Sequence, residues 1–227
     1  MIVELVGVAG AGKTTVLNAI RQRDQTIRPW RRFERLRSLP MSIRHMVALV
    51  PTALELLRKS PRSCWACTKH LVRLRTLHTM LARETTTAHR AIILDEGPVY
   101  SLCRLRLLQQ ASLGNTHLPS GWRTTLAQWP GSLDVVIWLD APDPVLMQRI
   151  RSRAKAHDVK QGTDREVFGF LERWRCTYRE ILAHLPAAGP VKMVEVDTAR
   201  ESAGQAASSV LAVVKRMRPS RGPEEES

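Results

Sequence analysis

The chain has 227 residues, of which 44% are apolar and 25% charged, and it carries a formal net charge of +14. These proportions fit one folded domain with a sizeable core and exclude a disordered chain. No apolar run reaches the length of about 18 residues that a spanning helix needs. The longest candidate, Met46 to Leu57, is broken by Pro51 and Glu55.

Four cysteines are too few for a disulfide framework at this length, so a reducing cytoplasm is the expected compartment. The opening segment MIVELVGVAG lacks a basic start and runs straight into a motif at Gly7, so no cleaved leader is expected. The charge comes from 28 Arg and 7 Lys against 21 acids. A field of that sign favours polyanions: nucleotides, nucleic acid or an anionic membrane face. An arginine-rich surface with no partner stays open as the alternative.

In chain order, residues 2–6 (IVELV) read as a buried parallel strand, because the run is apolar without clean alternation. Gly7 to Gly12 is a glycine-rich loop, and Thr14 to Arg23 reads as a helix with Val16, Leu17 and Ile20 at helical spacing. Residues 28–90 are rich in arginine and punctuated by Pro40, Pro51 and Pro61, with helical periodicity over 42–58 and 65–89. They read as two or three helices forming a cap. Further buried strands are predicted at 91–96 (AIILDE), 134–140 (DVVIWLD) and 191–197 (VKMVEVD), each ending in or beside an acid. Helices are predicted between and after them, at about 98–112, 144–157, 164–184 and 202–217. The alternation predicts an α/β fold with a parallel sheet and helices on both faces, and ligands beyond the carboxyl ends of the strands. The tail at 218–227 is polar, contains Pro and Gly, and reads as disordered.

Gly7-Val8-Ala9-Gly10-Ala11-Gly12-Lys13-Thr14 matches the phosphate-loop pattern G-x-x-x-x-G-K-[ST] at every position. The chemistry explains the residue types. Backbone N–H groups must converge on phosphate oxygens, and the small residues leave room for that approach. The helix that follows points its positive end at the anion. Lys13 can reach the β- and γ-phosphates, and the Thr14 hydroxyl can ligate Mg²⁺. The residues expected to hold ATP are Ala9, Gly10, Ala11, Gly12, Lys13, Thr14 and Thr15. The chain has no N-K-x-D or D-x-x-G of switch GTPases and no L-S-G-G-Q of transporter ATPases, and it is short for an oligomeric motor. A small P-loop kinase remains: a three-layer sandwich over residues 1–217, with the helical cap at 28–90 as an insert beside the nucleotide core.

Asp95 and Glu96 close the second recognisable strand, where a phosphoryl acceptor needs an orienting base and Mg²⁺ needs oxygen ligands. Neighbours on an extended chain point opposite ways, so one carboxylate is expected to face the site. Asp95 is the first choice for metal or base duty, with Glu96 its rival. Pro142-Asp143-Pro144 reads as a helix start with Asp143 at the N-cap. Arg149 and Arg153 then fall at i and i+4 on one face, where two guanidiniums can clamp a transferring phosphoryl group or cover the adenine.

The chain resembles the thymidylate-kinase-like and deoxynucleoside-kinase-like branch of P-loop kinases. The resemblance rests on GVAGAGKTT at 7–15, AIILDEGP at 91–98, VVIWLDAPDPVLMQRIRSR at 135–153 and VEVDTARE at 194–201. It implies a lid over 149–163 whose arginines meet the donor nucleotide, and an adenine-side turn containing Thr198. It also places the acceptor site after the first helix, where Arg32, Arg35 and Arg37 are acceptor candidates. The acidic-proline acceptor motif of thymidylate kinases is absent, and Glu96-Gly97 stand where those kinases carry an arginine after the aspartate.

The sequence thus predicts an ATP- and Mg²⁺-dependent phosphotransferase acting on a small molecule. A nucleoside or nucleotide is the leading acceptor, with a sugar or a lipid-linked glycan as the alternative. A nucleotide-dependent nucleic-acid-binding or regulatory protein is a separate alternative, although no nucleic-acid module is recognisable. Cys64 and Cys67 form a C-x-x-C with His70 and His78 beyond, a spacing that fits core or interface cysteines on a helix better than a zinc site. The apolar stretch Met41 to Leu57, followed by Arg58-Lys59, leaves peripheral membrane contact, a homodimer face and a buried cap helix open.

Overall fold

The computed structural model describes residues 1–30, 35–59, 61–84, 91–113, 129, 133–184 and 191–217. Five strands form one parallel sheet: β1 (Ile2–Val6), β2 (Ile27–Trp30), β3 (Ala91–Leu94), β4 (Val135–Asp140) and β5 (Lys192–Asp197), in the order β2-β3-β1-β4-β5. The central β1 sets Glu4 opposite Leu94 on one side and Val136 on the other. β1, β3 and nearly all of β4 are buried along their length, because helices cover both faces and alternation is not needed.

Helix α1 (Lys13–Arg23) carries the chain from β1 out to β2, whereas α5 (Pro98–Leu113) and the pair α6 (Asp143–Ser152) and α7 (Asp164–His184) carry it the opposite way. Right-handed crossovers running in opposite directions must lie on opposite faces. Accordingly α1 packs with the last helix, α8 (Ala203–Arg216), and α5 packs with α7. Between β2 and β3 come α2 (Arg35–Ala48), α3 (Val50–Lys59) and α4 (Pro61–Glu84). Both α2 and α3 pack on α4, which in turn packs on α5. This helical insert stands over the β3 side of the sheet's carboxyl edge.

Several boundaries depart from the sequence expectations. The residues 27–30 form an edge strand where the helical insert was expected to begin. Pro29 disguises it, and an edge position is where a strand tolerates a missing N–H. β3 stops at Leu94, so Asp95 and Glu96 lie in a bend and do not alternate across a strand. The helix expected over 144–157 spans Asp143–Ser152. Its N-cap is Pro142, and Asp143 is the first helical residue. Arg153 falls past the end in extended conformation, so it does not stack above Arg149 on a helix face. The tail at 218–227 lies outside the described residues.

Candidate nucleotide and acceptor site

The loop after β1 is shaped by glycines that nothing else can replace. Gly7 lies at φ 152°, and a Cβ there would run into the backbone carbonyl of Leu139 on β4. Gly10 lies at φ 85°, and a Cβ would sit 2.9 Å from the Leu146 carbonyl oxygen of α6. α1 then begins at Lys13 with no side-chain cap and no acid in its first turn. The positive end of the helix therefore faces the loop without a carboxylate of its own. Lys13 folds across the loop, its Nζ donating to the carbonyls of Gly7 at 2.7 Å and Val8 at 3.2 Å. Thr14 and Thr15 are exposed on the first turn.

A single cleft of about 1410 Å³ joins this loop to the helical insert. Lys13, Thr14, Asp95, Glu96, Arg149, Arg153 and Thr198 all line it, as do Ala9, Gly10, Ala11, Gly12 and Thr15. Because the chain bends after Leu94, both carboxylates reach the cleft, where the alternation argument expected one. Glu96 Oε2 is 2.9 Å from Arg73 Nη1, and the Glu96 carbonyl accepts from Nη2 of the same arginine. Burial raises the Asp95 carboxyl above its ordinary range, Lys13 opposes the rise and Glu96 adds to it. Burial likewise pushes the Lys13 ammonium down, while Asp95 and Glu96 hold it up and Arg153 pushes it further down. The loop cation and the acid pair therefore sense each other across the cleft.

Arg149 lines the cleft with its guanidinium tied to the backbone. Its Nη1 donates to Thr198 Oγ1 at 2.9 Å and to the Gly10 carbonyl at 3.3 Å, and its Nη2 donates to the Thr198 carbonyl at 2.8 Å. The guanidinium joins the phosphate loop to the turn after β5. Thr198 is itself buried and donates from N and Oγ1 to the Asp140 carbonyl, at 2.9 and 3.1 Å. Among the described residues the Arg153 guanidinium has no hydrogen-bond partner. Residues 153–163 form a string of turns in which Lys160 Nζ donates to the Arg153 carbonyl at 2.6 Å.

On the acceptor side, Arg32 lies outside the described residues, as do the side chains of Arg35 and Arg37 on α2. The cations that do line the cleft there are Lys69 and Arg73 on α4 and Arg104 on α5. The Arg73 guanidinium lies 5.9 Å from the Tyr100 ring centroid and that of Arg104 5.8 Å from Trp174. Tyr100 and Trp174 stack with centroids 5.8 Å apart, which builds an aromatic shelf edged by two arginines. Sequence reasoning missed this group. Its one local trace is Arg73, a charge set between the buried Val72 and Leu74 on the inner side of α4.

A buried acid braces the site from beneath. Glu4, inaccessible to solvent in the middle of β1, accepts from the backbone N–H of Val99 and of Tyr100, both at 2.9 Å. It thereby caps α5 from another strand, and Gly97 is required because a Cβ there would lie 2.6 Å from the Glu4 carboxyl carbon. At the end of β4, Asp140 is held by Arg175 Nε and Nη2 at 2.8 and 3.1 Å, and the same guanidinium bonds Asp143. Cys67 is buried in α4 with its thiol pushed up to about 11 by burial, and Cys64 Sγ donates to the Ala53 carbonyl at 3.2 Å. Among the described residues no cluster of three potential metal ligands occurs.

The family described as an AAA domain matches residues 2–180. The chain belongs to that family. No curated protein matches it in sequence. Among solved structures, the chain is similar to a deoxyadenosine kinase from M. mycoides with the products dCMP and a flexible dCDP bound. The identity is 14%, the TM-score is 0.56, and 96% of this chain and 100% of that one are covered. The same kinase with dATP bound gives 15% identity, a TM-score of 0.56 and coverage of 95% and 100%. The YorR protein of Bacillus subtilis in complex with phosphorylated GDP gives 16%, 0.51, and coverage of 95% and 96%. The AAA-domain chain thus has the P-loop kinase-like fold, and the likeness does not single out thymidylate kinases.

Proposed function

We propose that this protein is an ATP- and Mg²⁺-dependent kinase that transfers the γ-phosphoryl group to a small acceptor held between α4, α5 and the phosphate loop. One observation carries the reading: a glycine loop at a helix N-terminus, with its lysine, shares one cleft with the Asp95–Glu96 pair and an aromatic shelf. The loop amides and Lys13 bind the triphosphate. Arg153 lies free beside them to meet charge that spreads over the transferring group. One carboxylate of the Asp95–Glu96 pair takes or orients the acceptor proton, and Arg73 holds Glu96 in place beside Asp95.

Thr14 Oγ1 and Asp95 are the residues that would hold Mg²⁺. They fit it: this ion takes one or two protein oxygens and completes its shell with phosphate and water, and needs no all-protein cage. When bound, Mg²⁺ neutralises the β,γ-phosphate oxygens. The Tyr100–Trp174 shelf suits a nucleobase, which supports a nucleoside or nucleotide as acceptor. All four cysteines are free thiols, which supports a reducing cytoplasm as the protein's compartment.

The test is ATP turnover by the purified chain with Mg²⁺ across a panel of nucleosides, nucleotides and sugars. Turnover should rise with a nucleoside or nucleotide, and Lys13→Ala should lower it by at least about 10²-fold. Stimulation by sugars alone would replace the acceptor class. Failure of the intact chain to bind ATP in calorimetry would refute the kinase reading.

A further inference from the structure

We propose that the outward face of α2 and α3 is a docking surface for an anionic phospholipid bilayer, on which the two helices lie flat. Among the described residues, the exposed large apolar side chains gather almost entirely here. Leu39, Ile43, Met46 and Val47 follow one another at i, i+4, i+7 and i+8 on α2. Val50, Leu54 and Leu57 do so at i, i+4 and i+7 on α3. Trp65, near the start of α4, is 67% exposed and Val47 66%.

The orientation of α2 is what makes the stripe informative. Two of its polar residues face inward: Ser42 Oγ lies 3.4 Å from Thr76 Oγ1, and His45 Nε2 lies 3.2 Å from Thr79 Oγ1, both on α4. Leu49 and Leu56 are the buried apolar anchors between the pair and the body of the protein. An amphipathic helix in a globular protein normally turns its apolar stripe to the core. Here the apolar stripe looks outward.

Charge decides the occupant. Residues 35–59 carry Arg35, Arg37, Arg44, Arg58 and Lys59 against one acid, Glu55. A second copy docked through this face would set the exposed Arg44 and Arg58 against the same two cations. An anionic headgroup layer supplies the opposite sign, and the acyl boundary beneath it accepts Val47, Leu54 and Trp65. The helices are roughly 20 and 15 Å long, short of the roughly 30 Å of a hydrocarbon core. No described helix is long and apolar enough to cross a membrane. They therefore lie in the interface plane. Ser42 and Thr76, on the inward side, line the cleft, so docking through the outward face leaves the cleft open to solvent.

The test is co-sedimentation of the full chain with vesicles of phosphatidylcholine alone and of phosphatidylcholine mixed with phosphatidylglycerol. The wild type should pellet with the mixed vesicles and stay largely in solution with the neutral ones. Val47→Asp combined with Leu54→Asp should lower the partition coefficient at least about tenfold. Arg44→Gln and Arg58→Gln should each lower it about fivefold. All four side chains are exposed, so thermal unfolding of the variants should match the wild type. A wild type that ignores both vesicles, or binds both equally, overturns the proposal. So does a dimer in solution that Leu54→Asp dissociates with no effect of lipid, since a second copy would then own the face.

Discussion

Replacing Glu4 with Gln should remove a pH dependence that the wild-type fold carries. Glu4 is fully buried in β1, and burial raises its carboxyl from 4.5 to about 7, with the amides of Tyr100 and Val99 and the charge of Arg73 opposing the rise. In the unfolded chain the same group titrates near its ordinary value. Between the two values the folded state holds a proton that the unfolded state has released, so stability falls as pH rises. The contribution is complete below about 4.5 and is lost as pH climbs through about 7. At about 1.4 kcal/mol per unit, the part lost between about pH 5 and pH 8 amounts to about 2–3 kcal/mol. Glu4→Gln keeps one acceptor for the α5 amides and has no proton to lose. The measurement is urea unfolding followed by tryptophan fluorescence for both proteins across that range. Groups common to the two proteins cancel in the difference. The wild type should lose about 2–3 kcal/mol relative to the variant from the acid to the alkaline end. A difference that stays flat would mean that the two amides fully offset burial, and the reasoning would fail.

Arg149→Ala should destabilise the fold by about 2–3 kcal/mol, because three charge-assisted hydrogen bonds to Gly10 and Thr198 are lost together. Arg149→Lys should restore little of it, since an ammonium cannot span the fork; full rescue by lysine in a denaturant titration would contradict this account. Gly10→Ala should lower the melting temperature by more than Gly12→Ala. Both positions have positive φ, costing about 1–2 kcal/mol for an added Cβ, but only at Gly10 does that Cβ meet the Leu146 carbonyl. Equal melting temperatures for the two variants would show that the contact with α6 carries no weight.

The sequence revealed what is written locally. The phosphate loop, the buried runs of β1, β3 and β4 and the acids after Leu94 each announce themselves within a few residues, and the structure brings the loop and the acids into one cleft. What depends on partners distant in the chain was not legible. Glu4 drew no role from its place in the apolar run at 2–6, and its purpose appears only when Val99 and Tyr100 are placed above it. Arg73 and Arg104 reach the cleft because α4 and α5 pack together, which no spacing rule states. β2 was hidden by Arg28 and Pro29, whose cost is small only because the strand is an edge. Arg149 and Arg153 looked equivalent at i and i+4, until the helix end at Ser152 separated them.

Arg175 leaves one more mark on the fold. Reaching over from α7, it ties Asp140 at the end of β4 to Asp143 at the start of α6, so one guanidinium staples three consecutive elements. The turn from which α6 hangs is thereby anchored, and with it the Leu146 backbone against which Gly10 rests.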